Sequence, residues 1–181
     1  MPLTGDCPNC RNEKYHFASA QRLGVYDGRL RDAILKVKNP HQEMLAETLG
    51  LFWSEHARSK LLQSNPQVLI PVPLHWRRRW ARGFNQSESL ARGLGLALKL
   101  PVLTWAVRRV RATPVQTSQT PADRRKNVVG AFRALRLSPV KDLRILLVDD
   151  VLTTGATSEA VTLALLEGGA AQVDVAVLAH R

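Results

Sequence analysis

Residues Arg144 to Ser158 read RILLVDDVLTTGATS, and this stretch decides the fold. Four apolar residues, Ile145 to Val148, run directly into Asp149 and Asp150. A hydroxyl-rich turn, Thr153-Thr154-Gly155-Ala156-Thr157, follows and leads into an apolar helical pattern. Such a run predicts a buried strand that delivers two carboxylates at its carboxyl end, then a loop that opens a helix. The first amides of a helix lack internal partners and attract anions. Gly155 lets the backbone come close to a ligand, and the threonines add hydroxyl donors. Phosphate donors facing paired carboxylates suit a ligand that carries both phosphate and sugar hydroxyls. A receiver domain or a Walker B strand also ends in aspartates. Neither accounts for TTGAT, and no G-x-x-x-x-G-K-[ST] loop occurs in the chain.

Working outward, strand and helix patterns alternate. Gln21 to Tyr26 reads as a short strand, and Asp27-Gly28 turns it into a helix from about Leu30 to Val37, ended by Asn39-Pro40. His41 to Gln63 has the three-to-four apolar spacing of an amphipathic helix. Val68-Leu69-Ile70 is a buried strand bracketed by prolines; a loop follows, then a helix capped by Asn85 or Ser87 with Leu90, Leu94, Ala97 and Leu98 in its stripe. Pro101 to Leu103 is a brief strand, and Val128 to Leu137 is extended. A helix from about Thr157 to Glu167 stops at Gly168-Gly169, and Val173 to Leu178 closes the sheet. The most apolar strands show continuous rather than alternating hydrophobicity, which marks an α/β protein with a mainly parallel sheet covered on both faces. Ligands in such sheets bind beyond the carboxyl ends of the strands.

The chain has 181 residues, enough for one domain with a small appendage. Residues 1–18 are polar and irregular, and 19–181 form the domain. No apolar run approaches the roughly 18 residues a membrane helix needs. The start, MPLTGDCPNC, lacks a basic-then-apolar leader, so a cytoplasmic protein without membrane insertion is expected. Lys and Arg number 26 against 15 acidic residues, a net charge of +11 that draws polyanions. Cys7 and Cys10 are the only cysteines. Their C-x-x-C spacing is half of a structural zinc site, with His16 as a third candidate, short of the four ligands that a closed site needs.

VDDVLTTGAT resembles the phosphoribosyl-diphosphate (PRPP) signature of the type I phosphoribosyltransferases. Other landmarks stand in order: Tyr26-Asp27-Gly28 with Leu30 and Arg31; Pro71 to Leu74; Arg78, Arg82, Gly83, Phe84, Asn85 and Gln86; then Gln116, Arg125, Asn127 and Gly130-Ala131-Phe132. From Leu23 to the C-terminus this set is similar to the ComF family, phosphoribosyltransferase-like proteins linked to DNA uptake in natural competence and to their relative GntX. The resemblance implies a type I phosphoribosyltransferase-like fold with a mobile flap. It implies that Asp149 and Asp150 lie against the ribose hydroxyls as the catalytic pair, and that Val151, Leu152, Thr153, Thr154, Gly155, Ala156 and Thr157 cradle the 5′-phosphate. It further implies diphosphate contacts from Pro73, Arg78 and Arg82, flap positions at Gln116, Arg125 and Asn127, and magnesium accompanying PRPP. A competence helicase and single-stranded DNA are the implied partners. Family members often carry a four-cysteine zinc knuckle, of which this chain keeps only Cys7 and Cys10.

Three further readings rest on the residues themselves. Guanidinium groups match phosphate geometry, which fits Arg78 and Arg82 to a diphosphate. Trp76 and Trp80 interleave with Arg77 and Arg79, as in grooves that stack single-stranded nucleic acid, whereas Phe84 reads as a buried anchor. Arg108 to Lys126 holds two prolines, three threonines and six basic residues, the composition of an exposed mobile loop that would close over a ligand and exclude water. No general base stands out. Two functions therefore remain open: a phosphoribosyltransferase of unread acceptor, or a non-catalytic protein that handles single-stranded DNA or senses PRPP.

Overall fold

A computed structural model describes residues 14–111, 127–135 and 139–180. Its centre is a four-stranded sheet of β1 (Ala20–Val25), β2 (Val68–Pro71), β5 (Arg144–Leu152) and β6 (Gln172–His180). The order across it is β1-β6-β5-β2, and every pairing is parallel. Val102 adds a single parallel bridge to Leu69 at the far edge of β2. The brief strand expected at Pro101 to Leu103 is that bridge.

Alternate residues of β5 feed two cores. Ile145 and Leu147 pack with Val161 and Leu165 of α5 (Ala156–Glu167) and with Phe132 of a small hairpin, β3 (Val107–Arg109) and β4 (Phe132–Ala134). Leu146 and Val148 pack on the other face. There they meet α1 (Gly28–Val37), α2 (Glu43–Leu61) and α4 (Gln86–Leu98) through Ile34, Trp53, Leu90 and Leu94. A strand buried on both faces must be apolar throughout, and Ile145 to Val148 is.

Helices α2 and α4 cross at glycines. A methyl group on Gly93 would lie 2.0 Å from the Glu47 carbonyl oxygen, and one on Gly50 would lie 2.4 Å from that of Leu90. This close crossing brings the start of α4 to the carboxyl end of the sheet. Asn85 caps α4 by accepting the Ser87 amide at 3.2 Å, while its amide group donates to the Val72 carbonyl at 3.1 Å. The cap thus ties the helix to the end of β2.

The structure corrects several expectations. The stretch after β2 is a loop only as far as His75; α3 (Trp76–Arg82) follows, capped by His75 and closed by Gly83 at φ 83°. Extended backbone expected over Val128 to Leu137 is confined, among the described residues, to β4, because 127–128 are helical and a turn with Gly130 at φ 65° follows them. Arg108 and Arg109, expected in a loop, instead pair with Arg133 and Phe132, and residues 112–126 of that expectation lie outside the described residues. Among the described residues no helix is long and apolar enough to cross a membrane.

Candidate functional site

The site opens where β2 stops and β5 continues. Pro71 pairs with Val148, and the Val72 amide makes the last bond to β5, at 2.9 Å from the Val148 carbonyl. Pro73 then has no amide to donate. Beyond that point β5 runs on through Asp149 and Asp150 to Leu152, held only by β6 on its other edge. The aspartates therefore sit within the last part of the strand, beside a gap, rather than after it. A cleft of about 290 Å³ fills this gap.

Three walls line the cleft. Pro73, Arg78, Arg82 and Arg109 come from the β2 exit, α3 and β3; Val151, Thr153 and Thr157 come from the end of β5, the turn after it and the first turn of α5; Tyr26 and Lys38 flank α1. Asp149 and Asp150 lie on the floor with Gln86 and Ser87. α5 starts at Gly155, whose φ of 67° makes a tight turn, and no side chain caps it. Those amides are the kind that bind an anion. Leu152 and Ala156 are buried in the core, so only their backbone could meet a ligand.

The two acids are held differently. Asp149 is 9% exposed, and its Oδ1 accepts the Ser87 hydroxyl at 3.0 Å and the Asp150 amide at 2.9 Å. Burial and the adjacent Asp150 charge push its carboxyl up to about 7, against the opposing pull of those two hydrogen bonds and of Lys38. Asp150 Oδ2 lies 3.2 Å from the Lys38 ammonium and accepts from Gln86 Nε2 at 3.3 Å. Gln86 in turn accepts from Arg82 at 2.8 Å, so a relay of polar contacts runs from acid to arginine.

The basic wall is crowded. Burial and then Arg78 lower the Arg109 guanidinium, while burial and Arg78 outweigh the help of Asp150 at Arg82. Cations assembled against both solvation and each other are relieved by an incoming anion. Arg109 also lies over the Phe132 ring at 5.2 Å. The expected diphosphate residues are thus brought together, with Arg109 and Lys38 added. Sequence patterning missed both: Arg109 read as part of a loop, and Lys38 falls just past the helix expected to reach Val37.

α3 has a second face. Arg78 and Arg82 turn to the cleft, whereas Trp76 and Trp80 are 63% and 87% exposed and line a shallow groove with Arg79 and Gly83. Arg77 lies over the Trp76 ring at 5.2 Å. Arg79 is also an ion-pair partner of Glu88 at 3.1 Å, which fastens α3 to α4. Phe84 is buried, as its anchor reading required. Asn127 gives its carbonyl to Arg111 at 3.1 Å and does not line the cleft. The expectations at Gln116, Arg125, Cys7 and Cys10 lie outside the described residues.

A parallel α/β sheet carries paired acids at its carboxyl end, and these face an uncapped helix start and an arginine wall. The phosphoribosyl transferase domain family matches residues 80–181. DNA utilization protein YhgH of Escherichia coli (strain K12) is 42% identical over 172 residues, covering 93% of this chain and 75% of that one. Competence protein F of Haemophilus influenzae is 33% identical over 179 residues, covering 96% and 78%. A glutamine phosphoribosylpyrophosphate amidotransferase structure from B. subtilis aligns with a TM-score of 0.47 at 25% identity, over 73% of this chain and 25% of its own. This chain belongs to the phosphoribosyl transferase domain family and, within it, to the group that contains competence protein F.

Proposed function

We propose that the cleft binds PRPP and transfers its phosphoribosyl group to an acceptor, and that this activity serves DNA uptake or utilisation. The observation that carries the reading is that Asp149, Asp150, Thr153, Thr157 and the three arginines share one cleft. The relatives named for competence and DNA utilization support the biological setting.

In this reading the C1–diphosphate bond breaks, leaving positive charge on the sugar ring and negative charge on the departing oxygens. Asp149 and Asp150 accept the ribose 2′ and 3′ hydroxyls and offset the ring charge. Arg78, Arg82 and Arg109 hold the diphosphate, and the start of α5 holds the 5′-phosphate. The carboxylate and hydroxyl oxygens of Asp149, Asp150 and Thr153 are hard donors that fit magnesium. In this reading the ion accompanies the diphosphate. Bound there, magnesium would neutralise the leaving oxygens.

Calorimetry with PRPP and magnesium tests the binding. Asp149→Asn with Asp150→Asn should weaken it at least tenfold, about 1.4 kcal/mol. Absence of heat with the wild-type protein rejects the reading. Diphosphate release with pooled bases and cell extract then tests turnover; binding without acceptor-dependent release favours a sensor over a transferase.

A second reading rests on the outward face of α3. Two exposed tryptophans beside arginines support single-stranded nucleic acid stacking next to the cleft. Affinity for an oligonucleotide should then fall steeply with salt, and a flat response removes this reading.

A further inference from the structure

The turn that would hold the 5′-phosphate is braced from behind by residues outside the sheet. Tyr15 donates its hydroxyl to the Thr154 carbonyl at 3.0 Å. Its ring lies against Gly155 so closely that a methyl group there would be 2.8 Å from the ring edge. Tyr15 stacks on Phe17, with centroids 4.7 Å apart and planes 16° apart, and Phe17 packs on the core beneath α5. Next to it, the His16 amide donates to Glu159 Oε2 at 2.9 Å in the first turn of α5, and the His16 ring pairs with the same carboxylate. Ala18 then joins the sheet through the Val173 carbonyl at 2.8 Å. Tyr15 does not line the cleft; it lines a separate groove with Val129, Ala156, Glu159 and Leu163.

From this arrangement we infer that Tyr15 is a positioning residue for the phosphate turn: it fixes the Thr154–Gly155 peptide so that the uncapped start of α5 is preformed for a phosphate. The inference rests on the phosphate role proposed above for that turn. The physical need is plain. Gly155 is in the left-handed region, where glycine is freest, and the helix has no side-chain cap. A turn this permissive loses conformational freedom on binding unless something outside it holds it in advance. Tyr15 supplies a hydrogen bond to its carbonyl and an aromatic surface against its one residue without a side chain.

The test uses the full chain and two probes, ribose 5-phosphate and inorganic diphosphate, each titrated by calorimetry. Tyr15→Phe removes only the hydroxyl bond and should weaken ribose 5-phosphate about fivefold, the size of one net hydrogen bond. Tyr15→Ala should weaken it more than tenfold. Diphosphate, gripped by the arginine wall, should bind both variants within about twofold of wild type. Hydrogen exchange in the ligand-free protein should show faster exchange over 153–158 in Tyr15→Ala and wild-type rates in β5 and α4. Unchanged ribose 5-phosphate affinity and unchanged exchange in Tyr15→Ala overturn the inference. So does parallel loss of both probes with exchange rising everywhere, which marks a general stabilising role. If wild-type protein binds diphosphate but not ribose 5-phosphate, the phosphate role of the turn fails instead, and the exchange data still decide whether Tyr15 holds it.

Discussion

The middle of α4 and its first turn belong to one helix and answer to different physics. At Gly93 the helix meets α2 so closely that a methyl group has no room. At Gln86 to Glu88 the same helix buries polar side chains: Gln86 and Ser87 bond to Asp150 and Asp149 in the cleft, and Glu88 pairs with Arg79 and Arg92 beside it. One region is held by apolar contact and shape. The other gathers charges that burial disfavours, and is held in place by the first. Substitution should damage folding in the crossing, whereas in the cleft it should damage binding and leave folding intact or improved.

Gly93→Ala gives the sharpest expected break. Overpacking against the backbone of α2 should cost about 3 kcal/mol or more. The melting temperature should then fall by about 10 °C. A shift under about 2 °C would show that the helices slide apart cheaply and that the crossing does not set the cleft.

Arg78→Ala should behave oppositely. Loss of a charge-assisted contact should weaken diphosphate binding by about 2 kcal/mol. Because Arg78 raises the cost of Arg82 and Arg109, the melting temperature should stay level or rise. A large loss of stability would mean the wall is structural.

Asp149→Asn sharpens the contrast through pH. The Asp149 carboxyl titrates near 7 in the fold and near 3.8 in its ordinary state, so the folded protein holds the proton more tightly. Ligand-free stability therefore falls as pH rises from about 4 to about 7, and the ionised acid is a standing cost above that window. Asp149→Asn should raise stability at pH 8 by about 1–2 kcal/mol and change little at pH 4, measured by denaturant titration. Over the same window PRPP affinity of the wild type should rise with pH, as the ribose hydroxyls need the ionised acid. No gain at pH 8 would show that the carboxylate is already at ease in the ligand-free protein.

The smallest effect is expected on the outer face of α3. Trp80→Ala removes a side chain that is almost wholly in water, so the melting temperature should move by less than about 2 °C. Oligonucleotide affinity should fall by about 1 kcal/mol, the lower end of base stacking. Equal affinity would leave Trp80 without a role in binding.

Much of the site was legible because its residues lie close together in the chain. Asp149, Asp150, Thr153 and Thr157 form one continuous motif, and Arg78 and Arg82 share a face of α3 through simple helical spacing. Ser87 was readable only as a cap candidate; in the fold Asn85 caps α4, and Ser87 donates to Asp149. Lys38 and Tyr15 carried no signal at all. Their partners, Asp150 and Thr154, lie more than a hundred positions away, and no local pattern encodes such a meeting. Tyr15 belongs to the stretch read as a polar appendage, yet it packs on the phosphate turn.

By itself, the order of residues determined a parallel sheet with both faces covered, the strand that carries the acids, and the hydroxyl-rich turn after it. Strand and helix periods and a contiguous motif are local properties, so they survive in one dimension. Only the tertiary structure decided that β2 ends one residue short of Asp149, that α4 is drawn in far enough for Ser87 to reach it, and that a tyrosine from the chain's beginning braces the turn. Those are consequences of how close helices and strands can approach, which depends on glycines, prolines and volumes across the whole fold.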